Sequence, residues 1–423
     1  MNRDICIEVL QKELIPALGC TEPIAVAYGA AKAREVLGCF PDRIELHCSG
    51  NIIKNVKGVT VPCSKGMKGL DAAAILGTVG GDPARELEVL STVEDGHIET
   101  TKKLMEKKGF FSCSLAQGVP NLYISVSMWA GEESSQVKIV DYHTNIQEIR
   151  KNGELIFAGK ASHSTEEGSP LSALSLEDIF TFAQEVDIDL IKPVLARQVE
   201  FNSRISDYGL RENCGANIGS TLLAAYPDDV ALRARARAAA ASDARMSGCA
   251  LPVVINSGSG NQGITVSLPV LEYWKQLDAG EDELYRALAI SNLSALYVKR
   301  YIGSLSAFCG AVVAASGAAA AIVYLHGGSH EQMSKAMVNT LANVGGIVCD
   351  GAKASCAAKI SSAVDAAVLA FKMSMRGISF PAGEGIVQKD PEKTIKAVGY
   401  VGRVGMAQTD TEILNLMIDK VQL

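Results

Sequence analysis

The stretch AFCGAVVAASGAAAAIVYL, residues 307–325, decides the fold class of this chain. Nearly every residue in it is apolar or glycine, and the stretch is long enough to cross a hydrocarbon core. However, alanine and glycine dominate over leucine and isoleucine, and the flanking aromatic and basic pattern of a membrane anchor is missing. We therefore predict a helix buried at the centre of a globular domain.

The sequence around this helix predicts two kinds of structure. Helical patterns cover residues 3–14 and 23–37, and helical periodicity dominates again after about residue 177. The region between them contains short segments with a period of two residues, which is typical of strands. We predict an α+β fold with a discontinuous, mainly helical catalytic domain (residues 1–38 plus 200–423) and an inserted α+β module (residues 39–199).

Composition excludes several classes of protein. The chain has 423 residues, of which 48% are hydrophobic and 21% charged, so long disordered tails are not expected. Acidic residues (47) outnumber basic ones (40), giving a formal charge of -7, and no segment concentrates cations, so nucleic acid is not an expected partner. The N-terminus lacks an export signal, which predicts a cytoplasmic protein. The eleven cysteines are therefore expected to be reduced.

Three cysteines lie where helices are predicted to begin. Cys20 immediately precedes the predicted N-cap Thr21, and Cys349 precedes Asp350, the predicted N-cap of a helix that continues to residue 371. Cys309 stands at the head of the alanine-rich helix. Helix N-termini favour the thiolate, which serves as a nucleophile or as a metal ligand. The alternative is that each thiol is a small buried hydrophobe.

Two motifs rich in glycine and amide side chains are candidates for anion binding. Residues 213–220 and 256–263 offer backbone N–H groups, hydroxyls and amides that suit a carboxylate or a phosphate. The candidate ligand-binding side chains are Asn217, Ser257, Ser259, Asn261 and Gln262. The alternative is that both motifs are tight turns between helices.

Few side chains are candidate proton carriers. Glu22 is close in sequence to Cys20, and Lys353 is predicted one helical turn after Cys349, so both are candidate catalytic residues. The alternative is that Glu22 and Lys353 are surface charges or interact with helix ends. His143 and the other histidines of the module are predicted to be structural.

Five motifs, in order along the chain, resemble those of a known family. They are Gly19-Cys20-Thr21-Glu22-Pro23, Asn213-Cys214-Gly215-Ala216-Asn217, Ser257-Gly258-Ser259-Gly260-Asn261-Gln262-Gly263, Cys309-Gly310 and Gly346-Ile347-Val348-Cys349-Asp350-Gly351-Ala352-Lys353. They are similar to motifs of the L-cysteine desulfidases, a family related to the iron–sulfur L-serine dehydratase alpha chain. The resemblance covers essentially the whole chain.

The resemblance implies a [4Fe–4S] cluster held by Cys20, Cys309 and Cys349. Cys356 is a further candidate ligand, because the predicted helix places it two turns after Cys349 on the same face. It implies that the fourth iron acts as a Lewis acid on the leaving group of an amino-acid substrate while a protein base removes the Cα proton. L-cysteine would give hydrogen sulfide, pyruvate and ammonia. The chain carries Cys-Thr-Glu-Pro at residues 20–23 where typical serine dehydratases carry Ser-Ser-Ser-His, which favours the desulfidase.

Three alternatives remain open at this point. The first is an L-serine dehydratase, which converts serine to pyruvate and ammonia. The second is a pyridoxal-phosphate lyase in which residues 257–263 hold the phosphate and Lys353 forms the Schiff base. The third is a non-catalytic protein that binds small carboxylates. The alanine-rich helix faces are compatible with a homodimer under each hypothesis.

Overall fold

A computed structural model describes residues 2–159, 170–303 and 305–418. The helices are α1 (Asn2–Glu13), α2 (Thr21–Leu37), α3 (Gly50–Lys57), α4 (Gly69–Gly80), α5 (Asp95–Glu106), α6 (Leu176–Glu185), α7 (Lys192–Arg211), α8 (Ile218–Ala225), α9 (Val230–Met246), α10 (Gly260–Leu277), α11 (Glu281–Ile302), α12 (Gly310–Leu325), α13 (His330–Val344), α14 (Ser355–Met375), α15 (Pro391–Tyr400) and α16 (Ala407–Met417). The strands are β1 (Pro16–Leu18), β2 (Arg43–Cys48), β3 (Phe111–Leu115), β4 (Tyr123–Ala130), β5 (Glu133–Val140), β6 (Ile146–Lys151), β7 (Glu154–Ala158) and β8 (Pro252–Val254). The predicted α+β, mainly helical class is confirmed.

One sheet lies entirely within the predicted module. Its strand order is β3-β2-β4-β5-β6-β7, and all pairs are antiparallel except β2 with β3. Alternate residues of β4, such as Ile124, Val126 and Met128, are buried, and α2 packs across β4 and β5. A helix that precedes the module in sequence therefore covers its sheet. The predicted boundary at residue 199 falls within α7, and residues 160–169 of the module lie outside the described residues.

The alanine-rich stretch forms α12, which packs against α10, α11, α13 and α14. Every residue from Ala311 to Val323 is buried. Small side chains permit the close approach of helices, because a Cβ built on Gly317 would lie 2.3 Å from the carbonyl oxygen of Ser291 on α11. In the part of the chain that the structure describes, no helix is long and apolar enough to cross a membrane.

Two short pairings bring distant loops together. β1 pairs with β8 in an antiparallel register that places Leu18 opposite Pro252, so the turn after β1 lies beside the loop after β8. A single bridge pairs Phe308 with Val348 and joins the start of α12 to the loop after α13. The sequence analysis missed both strands of the first pair, since three-residue segments carry no detectable periodicity.

The packing of α12 makes a direct prediction for Gly317→Ala. The added methyl group must displace the backbone of α11, so we expect a loss of about 1–3 kcal/mol in the free energy of unfolding. Gly96 in α5 is the matched control, because a Cβ at that position meets nothing within 4 Å and alanine favours helix. Denaturant titrations of both variants check the prediction, and equal midpoints would contradict it.

Candidate functional site

Cys20 is the N-cap of α2 and is buried. Its thiol donates a hydrogen bond to Oε2 of Glu22 (2.9 Å), and Nδ2 of Asn55 on α3 donates to Oε1 of the same carboxylate (2.9 Å). The hydroxyl of Thr21 donates to the carbonyl oxygen of Gly258 (2.8 Å). The first turn of α2 is therefore fixed both to the module and to the loop after β8.

Cys309 and Cys349 are brought together by the bridge between their loops. Cys309 is the N-cap of α12, as predicted, and its N–H donates to the carbonyl of Ile347 (3.1 Å). The N–H of Cys349 donates to the carbonyl of Ala307 (2.6 Å). The buried ammonium of Lys54 on α3 donates to the carbonyl of Cys349 (3.3 Å), so the module also supports this pair.

The predicted helix start at Asp350 is wrong. The helix α14 begins at Ser355 with Ala354 as its N-cap, so Cys349 lies in an extended loop. Gly351 explains the difference: its φ is +95°, and a Cβ there would lie 2.6 Å from the carbonyl oxygen of Lys54. The backbone cannot continue a right-handed helix through that position.

Two further expectations depended on that helix and are also wrong. Lys353 does not lie one helical turn after Cys349; its ammonium pairs with the carboxylate of Asp350 (2.5 Å). Cys356 lies in the first turn of α14 and not on a helix face shared with Cys349. Asp350 also accepts a hydrogen bond from Lys359, so its carboxylate holds two ammonium groups close to the cysteine loops.

Burial opposes the expected acidity of the thiols. It raises the pKa of Cys309 to about 12, with a contribution from neighbouring Cys349, and it raises the pKa of Cys20 well above its usual value, with a contribution from Glu22. The prediction that helix N-termini lower these pKa values is therefore wrong for the metal-free chain. Desolvation raises the pKa of these thiols by more than a helix dipole lowers it. Burial also raises the pKa of Cys356.

Lys299 on α11 connects the two halves of the site. Its ammonium is buried and interacts electrostatically with Cys349, Cys309 and Glu22. Burial lowers the pKa of Lys299 to about 8, although these groups oppose the change. Cys20 and Cys356 also border one small apolar cluster that includes Val59. The cysteines selected from sequence therefore surround a common region.

No group of three or more His, Cys, Asp or Glu among the described residues is arranged to hold a single metal ion. A [4Fe–4S] cluster makes a different demand, because each thiolate binds a separate iron. Cys309, Cys349 and Cys356 interact electrostatically with one another, and Cys20 approaches from the facing turn. The donor chemistry of these thiols fits such a cluster.

The candidate binding loop after β8 is ordered by its own side chains. The hydroxyl of Ser257 donates to Asn256 (2.9 Å), and that of Ser259 caps α10 by accepting from the N–H of Gln262 (3.4 Å). Oδ1 of Asn261 accepts from Nη1 of Arg245 (3.0 Å). Gln262 also approaches the Cys309 loop: a Cβ on Gly310 would lie 2.8 Å from its Cδ.

Asn217 takes part in a separate turn. It is the N-cap of α8 in a left-handed conformation, its Oδ1 accepts from the N–H of Cys214 (3.0 Å), and its amide group donates to Asn213. Asp243 on α9 accepts from the N–H groups of Ala216 and Gly219 (3.1 and 3.2 Å). The donors of this motif thus have partners within the protein.

Four buried polar atoms around Glu22 and Gln262 have no hydrogen-bond partner within the part of the chain that the structure describes. They belong to Arg245 (2% exposed), Gln262 (3%), Asn55 (6%) and His143 (8%), through Nε, Oε1, Oδ1 and Nε2 respectively. Buried polar atoms are nearly always hydrogen-bonded in folded proteins. Four such atoms in one region indicate that a polar ligand completes the site.

His143, which is predicted from the sequence to be structural, is buried beside the loop after β8. It lies in the β5–β6 turn of the module, and a Cβ on Gly258 would lie 3.1 Å from its Nδ1. Burial and Arg245 lower the pKa of His143, while Glu22 opposes them. No local sequence signal marks this residue, nor does one mark Arg245, Asn55 or Lys299, because each reaches the site through tertiary packing.

Comparison with known proteins shows the family. The family model of the serine dehydratase alpha chain matches residues 84–415. Relatives named UPF0597 protein are 52% identical in Lachnoclostridium phytofermentans, 48% in Desulfitobacterium hafniense and 47% in Finegoldia magna. The alignments cover 98% of this chain in each case and 99%, 96% and 99% of the respective relative.

The protein is mainly helical, and the thiols of Cys309, Cys349 and Cys356 interact with one another. The chain belongs to the serine dehydratase alpha chain family. The relation expected from the five motifs is thereby confirmed, and the family is generally iron–sulfur dependent.

The lowered pKa of His143 predicts a pH dependence of stability. The folded protein binds this proton less readily than the unfolded chain, so the contribution of neutral His143 is complete above about pH 6.5 and is lost as the pH falls. We expect the unfolding midpoint of His143→Gln to fall less than that of the wild type between pH 7 and 5. Exposed His47→Gln controls for loss of a histidine. Parallel curves for wild type and His143→Gln would contradict the prediction.

Proposed function

We propose that the chain is an iron–sulfur-dependent carbon–sulfur lyase that converts L-cysteine to hydrogen sulfide, pyruvate and ammonia. The observation that carries this proposal is the arrangement of the Cys309 and Cys349 loops and the Glu22 carboxylate around buried Lys299. Membership of a dehydratase-like family supports the reaction class. The Cys-Thr-Glu-Pro motif supports cysteine over serine as the substrate.

Cys20, Cys309 and Cys349 would hold the cluster, with Cys356 close to the last two. When bound, the cluster supplies an iron that polarises the leaving group, and a sulfur leaving group suits iron well. The ammonium groups of Lys299 and Lys359 face the thiols and reduce the cost of charging them in a buried site. Since burial raises the pKa of Cys20 and Cys309, their thiols release protons when they bind iron.

His143 is our candidate for the group that accepts the Cα proton. Its imidazole is neutral, and its buried Nε2 has no partner among the described residues. Glu22 is a weaker base: although burial opposes ionisation, His143 and the hydrogen bond from Cys20 lower its pKa. We assign Glu22 to holding Cys20 and Asn55, and Lys353 to shaping the Cys349 loop through Asp350.

The elimination balances without an added oxidant or reductant. The Cα–H bond breaks and its proton goes to the base, the Cβ–S bond breaks, and a Cα–Cβ double bond forms. The sulfur leaves as hydrogen sulfide after taking up a proton. Water then hydrolyses the aminoacrylate to pyruvate and ammonia.

The pyridoxal-phosphate alternative receives little support from the side chains. The ammonium of Lys353 pairs with Asp350, and the hydroxyls of Ser257 and Ser259 bind within their own loop. The carboxylate-binding alternative differs from the proposal in predicting ligand affinity without turnover.

Anaerobic reconstitution with iron and sulfide tests the proposal. We expect a brown protein with about four irons per chain that releases sulfide and pyruvate from L-cysteine faster than pyruvate from L-serine. Cys309→Ser and Cys349→Ser should lose the iron and at least about 100-fold in turnover, because their thiolates are required as ligands. Exposed Cys39→Ser is the matched control and should keep both.

Two outcomes would contradict the proposal. One is a reconstituted protein that stays colourless and inactive. The other is a brown, active protein whose iron content is unchanged in Cys309→Ser and Cys349→Ser. A preference for L-serine would support the dehydratase instead, with the same ligands.

A further inference from the structure

The guanidinium of Arg245 is buried, and no carboxylate among the described residues forms a direct ion pair with it. It lies in the last turn of α9, is 2% exposed, and makes no ion pair within 4 Å in the described ranges 2–159, 170–303 and 305–418. Its Nη1 donates to Asn261, while its buried Nε has no partner. Burying an unpaired cation is expensive, since the attraction to a partner must offset the loss of hydration.

The backbone around Arg245 is shaped to admit this group. A Cβ on Gly260 would lie 2.3 Å from Nε of Arg245 and 2.6 Å from its Cζ, so only glycine leaves room for the guanidinium. Gly260 begins α10, directly after the loop that carries Ser257 and Ser259. Among the described residues, neither Nε nor Nη2 makes a hydrogen bond, and together they are the pair of donors that binds a carboxylate in bidentate fashion.

Arg245 shares its surroundings with the candidate chemistry. It interacts electrostatically with Cys20, Glu22 and His143. A cavity of about 500 Å³ is lined by His143 and Gly258, whereas Arg245 is not among its lining residues. The cavity is large enough for an amino acid, and His143 both lines it and interacts with Arg245.

We propose that Arg245 binds the α-carboxylate of the substrate through its Nε and Nη2 edge, with Gly260 as the required neighbour. The identity of the substrate rests on the proposed function. The inference adds Arg245 as the group that distinguishes a free amino acid from its amide. The carboxylate end is fixed at Arg245, so Cα lies between the guanidinium and the groups around Cys20. The unpartnered Oε1 of Gln262 is an acceptor for the α-ammonium group.

Calorimetric titration with L-alanine, which has no leaving group, tests this assignment on the reconstituted protein and on the metal-free chain. We expect Arg245→Gln to weaken binding about 10- to 100-fold, as loss of a charge-assisted bidentate contact does. Arg245→Lys keeps the positive charge but lacks the paired N–H donors of the guanidinium, so its affinity for L-alanine should be intermediate. Arg235→Gln on the same helix, whose partner Asp365 is exposed, is the matched control and should bind as the wild type does.

L-alaninamide provides a second measurement. The wild type should bind L-alanine more tightly than the amide, and Arg245→Gln should lose that preference. The unfolding midpoint of ligand-free Arg245→Gln should equal or exceed that of the wild type, because the variant no longer buries an unpaired charge. A structural role alone would lower the midpoint and leave the preference for the carboxylate unchanged.

The outcomes separate this inference from the proposed function. Equal L-alanine affinity in wild type and Arg245→Gln, or no binding to either form of the wild type, overturns the inference while elimination from L-cysteine can still be observed. Arg245-dependent binding in a protein that never turns over L-cysteine or L-serine would sustain the inference and overturn the proposed function.

Discussion

The antiparallel pairing of β1 with β8 is the constraint on which the site depends. It holds the Cys20 turn against the loop that begins at Asn256, and the hydrogen bond from Thr21 to Gly258 fixes their separation. The Phe308–Val348 bridge likewise holds the loops of Cys309 and Cys349 together. Both pairings are short and supported by helices: β8 packs against α7 and α10, α10 packs against α12, and Phe308 precedes α12. Close packing around α12 thus acts on function by keeping short loops in register.

The module contributes chemistry as well as structure. Asn55 and Lys54 extend from α3 toward Glu22 and Cys349, and His143 extends from the β5–β6 turn toward Gly258. The helical part alone would have thiols but neither His143, the proposed proton acceptor, nor these supporting groups. Sites built between two parts of a chain can couple ligand binding to closure around the ligand. The low exposure of Arg245, Gln262 and His143 is in keeping with a ligand enclosed on all sides.

Local sequence patterns predicted the elements that have a strong period, including α12 and β2. They also located Cys20 and Cys309 at helix starts, because N-cap chemistry is a property of neighbouring residues. They failed at Asp350, since the glycine after it takes a left-handed conformation against α3, which only the tertiary fold reveals. They failed for Arg245 and His143 for the same reason. A buried charge or imidazole is defined by what surrounds it, and none of those neighbours is adjacent in sequence.

The most direct test of the account is a crystal structure of the anaerobically reconstituted protein, with data collected at the iron absorption edge. We expect an anomalous peak from iron between the Cys309 and Cys349 loops. The Cys20 turn should lie on the opposite side of this peak, and Lys299 should lie close to it. An iron peak elsewhere in the fold, or iron bound by none of these thiols, would contradict the assignment of this region as the reaction centre.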